Sequence, residues 1–345
     1  MIHIDGGQRS GSGTIVRFAT AFATLLRRPL HLFNARAKRK KPGLRPQHLA
    51  AVRACAELCG AEVQGLTVGS QEFTFVPGPS IAGGTFNWDI GTAGSATMLA
   101  LGILPVACFA DAPVAARITG GVFQDFAPSP HHMAHVLIPL LVRMGASVEL
   151  RMMRAGYVPG GAGALELRVH PVRRPLAPLS LAEQGVVRQV RGIAFSSHLK
   201  RRQVSERMAQ MCAAGLAAAG LSCTIERVYD NMAVHPGASL AVWALTSTGC
   251  ILGADRAGAL RRSSEAIGRF VANSLLTELA SGATTDRHVA DQLILFAAFA
   301  AGLTSYLAPS LTEHVDTNLW LAEQFGARVR IEGRRVEVEG LGLHR

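Results

Sequence analysis

Three stretches of the chain share one pattern of apolar and polar positions. Each is an apolar helical run that ends at a glycine and continues as an alternating strand, and the sequences are AELCGAEVQGL, LVRMGASVELR and AEQFGARVRIE. The glycines are Gly60, Gly145 and Gly326. A glycine at such a junction suits a helix that ends by turning through the left-handed region into a strand. The pattern therefore predicts three copies of one helix-to-strand unit.

Apolar periodicity extends the unit on both sides of each junction. The stretches IHIDGGQRSGSGTIVRFATAFATLL and FNWDIGTAGSATMLALGILPVA each indicate a strand, a Gly/Ser-rich loop and an apolar helix. The apolar run at 96–110 is shorter than the ~20 residues that a membrane span needs, so we predict a core helix. In ARVRIEGRRVEVEG, alternating branched residues flank a turn, as in a hairpin. Each unit is thus predicted to lay two helices on a small sheet.

The spacing of the junction glycines predicts an insertion. Gly60 and Gly145 are 85 residues apart, whereas Gly145 and Gly326 are 181 apart. The second interval holds about 96 residues too many for one unit. Between about 182 and 276 the pattern indicates strand, helix, strand and strand. We predict an α/β (α+β) protein with a large domain of three units, 1–181 and 277–345, and a small inserted α/β domain, 182–276.

Charge indicates an anionic partner. Lys and Arg number 35 against 24 Asp and Glu, which gives a formal charge of +11 and favours a polyanion such as nucleic acid. Only three Trp and three Tyr are present, so contact with phosphates is expected rather than broad base stacking. The six cysteines form no C-x-x-C pair and the N-terminal MIHIDGG has no secretory pattern. We expect reduced thiols, a cytoplasmic location and no membrane partner.

Two histidines occupy equivalent places before the junction glycines. His314 lies twelve residues before Gly326, and His48 lies twelve residues before Gly60. Thr312 is a suitable cap for a helix that starts there, and the helix dipole would hold a first-turn histidine in its neutral, nucleophilic form. Each histidine is either a chemical group or simply a polar first-turn residue, and the periodicity leaves both readings open.

Other polar segments could carry chemistry. GGQRSGSGT could cradle a phosphate or serve only as a tight turn, and RAKRKKPGLRPQH could contact phosphates or be a solvated charge run. In HVADQLILFAAFA, Asp291 and Gln292 fall in or near a first helical turn, where an aspartate caps the helix or holds a divalent metal. His131 and His135 have helical spacing but lack the glutamate of a zinc protease.

The repeat, the insertion and the stretches KPGLRPQHLAAV, IGTAGSAT, VADQL and EHVDTN together resemble the RNA 3′-terminal phosphate cyclase family over nearly the whole chain. The resemblance implies three βαβαββ-like units, similar to the C-terminal domain of translation initiation factor 3, with a thioredoxin-like insert. It also implies ATP, a divalent metal (Mg or Mn) and an RNA with a 3′-phosphate end as reactants.

The implied reaction converts that RNA end to a 2′,3′-cyclic phosphate through a histidine-AMP intermediate. The histidine of the family's H-x-x-T-N stretch matches His314. The nucleotide site would include the five residues that end at Gln292, together with Leu101, and Asp291 would bind the metal. The matching nucleotide-site residues are His288, Val289, Ala290, Asp291, Gln292 and Leu101. The matching phosphate or RNA contacts are Arg17, Arg36, Arg39 and His48.

The chain departs from the family pattern at several places. Ser10 stands where the family usually has a metal-binding glutamate, Leu101 where it has a nucleotide-contacting glutamine, and Thr14 where a glutamine closes the first loop. Gly156–Gly163 reads GYVPGGAG instead of a G-F-Y-P-x-G-G-G-like signature. These differences leave room for a non-catalytic RNA-binding relative. A small-molecule transferase of the enolpyruvyl transferase type is a third hypothesis, based on fold analogy alone.

Overall fold

The computed structural model describes residues 1–344, and their strands form four small sheets in a mixed α/β architecture. The first sheet has the strand order β1-β2-β4-β3, with β1 parallel to β2 and the other pairs antiparallel. Its region comprises β1 (Ile2–Asp5), α1 (Gly13–Leu26), β2 (Leu30–Phe33), α2 (Pro46–Cys59), β3 (Glu62–Gln64) and β4 (Phe73–Val76).

The second sheet repeats this topology. Its order is β5-β6-β8-β7, again with one parallel pair followed by two antiparallel pairs. Its second helical segment is broken by a π-helical turn, Met133–Leu137, a feature often found near functional sites. The region comprises β5 (Gly84–Asp89), α3 (Ala96–Cys108), β6 (Val114–Gly120), α4 (Pro130–His132), α5 (Ile138–Arg143), β7 (Ser147–Arg154) and β8 (Gly163–His170).

The next part of the chain forms a sheet of different topology, with the order β10-β9-β11-β12. Strand β9 is parallel to β10 and antiparallel to β11, and the two helices of the region pack on each other and on the sheet. We call this part the β9–α7 segment. It comprises β9 (Val187–Ser197), a 3₁₀ turn (Lys200–Arg202), α6 (Val204–Ala218), β10 (Cys223–Asp230), β11 (Gly237–Thr246), β12 (Ile251–Ala257) and α7 (Ser264–Ala280).

The last sheet is smaller, with the antiparallel order β13-β15-β14. A single parallel bridge from Ser180 to Ser305 lies where the other two sheets have their first strand. The region comprises α8 (Arg287–Ala297), β13 (Leu303–Leu307), α9 (Glu313–Gln324), β14 (Arg328–Glu332) and β15 (Arg335–Glu339).

Helix α1 lies at the centre of the molecule. Every residue from Gly13 to Leu25 is buried, because the helix is apolar around most of its circumference and packs against α2, α3 and α9. Its Phe22 stacks on Phe325, just after α9, with ring centroids 5.0 Å apart. The loop before α1 is therefore surrounded by the starts of other helices.

Local chemistry accounts for the predicted junctions. Gly60, Gly145 and Gly326 have φ values of 64°, 99° and 103°, so the predicted left-handed turns are confirmed. The hairpin of β14 and β15 turns at Gly333, which also has a positive φ of 59°. The core helix at 96–110 is confirmed as α3, which tolerates Pro105 in its last turn.

Three further observations bear on the sequence predictions. All six cysteines are free thiols, and all but Cys223 are buried, as expected for reduced core residues. Helix α7 continues past residue 276, the predicted end of the insertion, to Ala280. No helix within residues 1–344 combines the length and apolar character that a bilayer crossing requires. The cytoplasmic location stays a prediction.

Candidate functional site

A cavity of about 500 Å³ lies where the first turns of α1, α2, α3, α8 and α9 converge. Helix N-termini carry partial positive charge and free backbone N–H groups, so their convergence favours an anionic ligand. The cavity is lined by Ser12, Gly13, Thr14, Arg17, Phe18, Arg36, Arg39, Gln47, His48, Met98, Leu101, Asp125, Phe126, Ala127, Pro128, His288, Asp291, Gln292, His314 and Asn318.

His314 is the second residue of α9, and Thr312 caps that helix by accepting the Val315 N–H, as the sequence predicts. Burial lowers the pKa of His314, and the nearby Arg39 and Arg17 lower it further. The imidazole is therefore neutral at pH 7. Its Nδ1 is buried without a hydrogen-bond partner among the described residues, so Nε2 is the nitrogen available to the cavity. A neutral imidazole with one accessible nitrogen is a competent nucleophile.

The two residues that follow in the motif hold neighbouring segments in place. Thr317 Oγ1 accepts the Ser10 N–H at 3.1 Å and donates to the Glu313 carbonyl at 2.5 Å. Asn318 Nδ2 donates to the Asp291 carbonyl at 2.8 Å. Thr317 thus fixes the loop before α1, and Asn318 fixes α8, so both segments are placed relative to His314.

Arg17 is a buried cation that forms no ion pair within residues 1–344. Its side chain reaches the cavity from α1, only 7% of its surface is exposed, and its one hydrogen bond is a long contact of 3.5 Å to Thr14 Oγ1. Nε has no partner in residues 1–344. Burial lowers the pKa of Arg17 to about 10, which still leaves it charged at pH 7. A buried, unpaired guanidinium is unfavourable, and a phosphate in the cavity would satisfy it.

His48 is held in one orientation by the start of α2. Its Nδ1 accepts the Arg45 N–H at 3.0 Å, so the neutral ring carries its proton on Nε2. Burial lowers the pKa of His48 well below its usual value, and the nearby Arg17, Arg36 and Arg45 lower it further. A Cβ on Gly13 would lie 2.0 Å from His48 Nε2, so only glycine allows this close approach. His48 can therefore act as a fixed N–H donor.

The basic run contains arginines with different roles. Arg36 adopts a positive φ of 58° and donates to the carbonyls of Lys41 and Gly43, so its guanidinium stabilises the basic loop itself. Arg39 is exposed and lines the cavity, and its side chain makes no hydrogen bond or ion pair with another described residue. Of the two, Arg39 is the one left free for a ligand.

The five residues of α8 that were predicted to bind the nucleotide also differ in where their side chains lie. His288, Asp291 and Gln292 line the cavity, whereas the side chains of Val289 and Ala290 are fully buried in the core. Gln292 Oε1 is buried and has no hydrogen-bond partner in the described chain. Burial and the neighbouring Asp286 raise the pKa of Asp291 to about 8, so this carboxyl is mainly protonated at pH 7 until a cation approaches.

The cap of α8 is Asp286 rather than Asp291. Asp286 Oδ1 accepts the N–H groups of His288 and Val289, and Oδ2 lies 3.0 Å from His132 Nε2. Burial alone would lower the pKa of His132, but the Asp286 carboxylate outweighs this effect and raises it. The pair forms a buried ionic contact behind the cavity, and the capping reading of Asp291 is wrong.

The departures from the family pattern have specific surroundings. Ser10 is buried and its Oγ donates to Ser12 Oγ at 3.0 Å, outside the cavity lining. Leu101 and Thr14 both line the cavity, where Leu101 contributes a fully buried apolar surface. His131 and His135 lie elsewhere, packed against Phe123 and Trp243 respectively.

The family model for RNA 3′-terminal phosphate cyclase matches residues 8–331. The chain belongs to that family. RNA 3′-terminal phosphate cyclases of three archaea illustrate the similarity. That of Hyperthermus butylicus is 38% identical over 97% of this chain and 95% of its own length. The proteins of Ignicoccus hospitalis and Pyrobaculum aerophilum are 36% and 35% identical, over 96% and 100% of this chain and 94% and 99% of their own lengths.

One solved structure is a weaker match. The enolpyruvyl transferase NikO from Streptomyces tendae is 15% identical over 99% of this chain and 52% of that chain, with a TM-score of 0.27. A score this low carries no argument for a shared fold, so the transferase hypothesis gains nothing from it.

The cavity of this family member also contains residues that motif reasoning missed. Asp125, Phe126 and Pro128 form a wall between β6 and α4, and Phe126 is 98% exposed. The only sequence signal was a large aromatic residue in the otherwise loop-like QDFAPSP. An exposed ring at a cavity rim offers a face on which a nucleobase can stack.

Buried polar atoms that lack hydrogen-bond partners indicate whether the cavity suits a nucleotide. Besides His314 Nδ1, the residues that line the cavity contribute Arg17 Nε, Gln292 Oε1 and Asn318 Oδ1, and a polar, anionic ligand could satisfy these three atoms. The cavity offers fewer ligands for a divalent metal. No group of three or more His, Cys, Asp or Glu side chains within residues 1–344 is arranged to hold one. Asp125 is engaged by two arginines, so Asp291 is left as the single available carboxylate.

Proposed function

We propose that this protein converts an RNA 3′-terminal phosphate to a 2′,3′-cyclic phosphate in an ATP-dependent reaction through a histidine-AMP intermediate on His314. The main observation behind this proposal is that a neutral histidine with one accessible nitrogen shares a cavity with a buried arginine that forms no ion pair among the described residues. One group supplies a nucleophile, and the other supplies a preformed site for phosphate charge.

The proposed reaction has three steps. His314 Nε2 forms a bond to the α-phosphorus of ATP, and pyrophosphate leaves. A phosphate oxygen of the RNA end then takes AMP from the histidine. Finally, the neighbouring 2′-hydroxyl oxygen attacks the activated phosphorus, its proton is lost, and AMP leaves. No redox change occurs, and each transfer breaks one bond to phosphorus as it forms another.

The other cavity residues would stabilise charge and orient the reactants. Arg17 and Arg39 would offset phosphate charge, and His48 would donate from Nε2. Leu101 and Phe126 line the cavity and would offer apolar contacts to the base, whereas the side chains of Val289 and Ala290 are buried in the core and support α8. A magnesium or manganese ion would be held by Asp291 and by the phosphates, and it would further neutralise their charge.

The architecture supports the finer fold assignment within this proposal. The first two sheets have the same strand order and the same sequence of parallel and antiparallel pairs, and the last sheet keeps the antiparallel part. We propose that they are three βαβαββ-like units of one large domain, 1–181 and 277–345. Residues 182–276 would then be a thioredoxin-like insert, supported by the mixed β9–β12 sheet with α6 and α7 packed on it.

A non-catalytic RNA-binding relative is the second candidate function. It is favoured by Ser10, whose hydroxyl is satisfied by Ser12 and leaves Asp291 as the single available carboxylate in the cavity. Such a protein would bind RNA through the same basic surface without forming a nucleotide adduct.

Labelling with α-³²P-ATP and magnesium or manganese distinguishes the two candidates. We expect an acid-labile adduct on the wild type that His314→Ala abolishes. His170→Ala, which removes an exposed histidine on β8, is the matched control and should label normally. Labelling that persists in His314→Ala contradicts the catalytic assignment. RNA binding without any wild-type adduct supports the second candidate.

A further inference from the structure

The β9–α7 segment contacts the cavity wall through one strand and the loop after it. Both oxygens of Asp125, a cavity residue, accept hydrogen bonds from Arg262, each at 2.7 Å. Arg256 Nε lies 3.3 Å from the same carboxylate. Paired N–H···O bonds of this kind fix both distance and orientation. We call the Asp125–Arg262 contact the clasp.

Two backbone contacts from the same strand lie beside the clasp. The Ser129 N–H donates to Asp255 Oδ2 at 2.7 Å, and the Gly253 N–H donates to Asp286 Oδ2 at 2.8 Å. Ser129 directly follows the Asp125–Pro128 wall, and Asp286 caps the helix that carries His288 and Asp291. Residues 251–263 therefore hold both the wall and the start of α8.

The wall is exposed to solvent at Phe126. Phe126, directly after Asp125, is 98% exposed, so no packing fixes its ring. The two clasp side chains are only 21% and 22% exposed, which limits solvent screening of their attraction. The position of the wall is therefore expected to depend on the clasp and on the Ser129 contact.

We propose that Arg262 is a positioning residue for the nucleotide, and that the β9–α7 segment sets nucleotide affinity by holding the Asp125–Pro128 wall through the clasp. This inference rests on the proposed function, because it requires ATP to occupy the cavity. Arg262 itself acts at a distance, since it is absent from the cavity lining.

The test compares Arg262→Ala with Arg261→Ala. Arg261 is the adjacent residue, is exposed and makes no ion pair among the described residues, so its removal changes charge equally without opening the clasp. Affinity for ATP is measured by calorimetry, and adduct formation is followed at increasing ATP concentration. We expect about tenfold weaker ATP binding in Arg262→Ala. The adduct-forming rate at saturating ATP should change less than about threefold, and Arg261→Ala should resemble the wild type.

The conservative variant separates positioning from general support of the fold. Lysine keeps the charge but cannot make two parallel bonds, so Arg262→Lys should show an intermediate ATP affinity. It also decides the question if Arg262→Ala does not fold. The inference is overturned if folded Arg262→Ala or Arg262→Lys binds ATP as the wild type does, or if the saturated rate falls while affinity is unchanged. A wild type that binds no ATP contradicts the proposed function instead.

Discussion

Arg17 provides a quantitative test of the cavity as an anion site. Its pKa falls from the ordinary 12.5 to about 10 because of burial, with a further contribution from Arg36. A tenfold change in proton affinity corresponds to about 1.4 kcal/mol, so the buried charge costs about 3 kcal/mol in the free folded protein. Replacing Arg17 by methionine removes this cost and keeps most of the apolar stem.

We expect Arg17→Met to raise the free energy of unfolding by about 1–3 kcal/mol at pH 7, allowing for imperfect packing. Asp291 is not left as a bare buried anion, because its pKa of about 8 keeps it mainly protonated. ATP should stabilise the wild type by about 2.7 kcal/mol at a hundred times its Kd, and should stabilise Arg17→Met far less at the same concentration.

Urea unfolding with and without ATP measures both effects. Arg36→Met is the matched control, because that guanidinium already donates to the Lys41 and Gly43 carbonyls and its removal should lower stability or leave it unchanged. The reasoning is refuted if Arg17→Met is less stable than the wild type and retains full stabilisation by ATP.

Three further outcomes are expected from other parts of the site. Arg39→Gln should weaken binding of RNA 3′ ends about equally across sequences and reduce the slope of log affinity against log salt by about one, and an unchanged slope would place Arg39 outside the phosphate path. Ser10→Glu should lower the divalent-metal concentration needed for half-maximal adduct formation, whereas the uncharged Ser10→Gln should not; equal metal requirements would contradict a metal beside this loop. The wild type should have a larger free energy of unfolding than His132→Gln, and this difference should be largest below pH 6.5. The excess should shrink as pH rises through the raised folded-state pKa of His132. Urea titrations at pH 6 and pH 9 measure this difference, and an excess that grows with pH would contradict a protonated His132.

Helix starts and junctions were accessible from the sequence because they depend on local chemistry. Thr312 and the three junction glycines act within one turn of their own positions, and the structure confirms each of them. Asp291 shows the limit of such reasoning. Two aspartates precede or enter α8, and only the fold shows that Asp286 is the one whose oxygens meet the free N–H groups.

The remaining features depend on contacts between distant residues. The sequence predicts the same role for Arg36 and Arg39, because both belong to one basic segment. In the structure, a left-handed backbone at Arg36 turns its guanidinium back onto its own loop. The Asp125–Pro128 wall was missed because the partner that holds it, Arg262, lies 137 residues away. No local pattern encodes that distance.

The loop before α1 and the start of α9 are joined by Ser10 and Thr317, which are 307 residues apart, and Arg9 and Asp316 add a second contact of 3.3 Å. On the ribosome, α1 is synthesised long before α9. A nascent chain in which α9 has not yet been synthesised lacks His314. The face of α1 that carries Phe22 then has no Phe325 to cover it. Nucleotide binding at this cavity therefore cannot assist the folding of the early-made portion until α9 has been synthesised and has packed against α1.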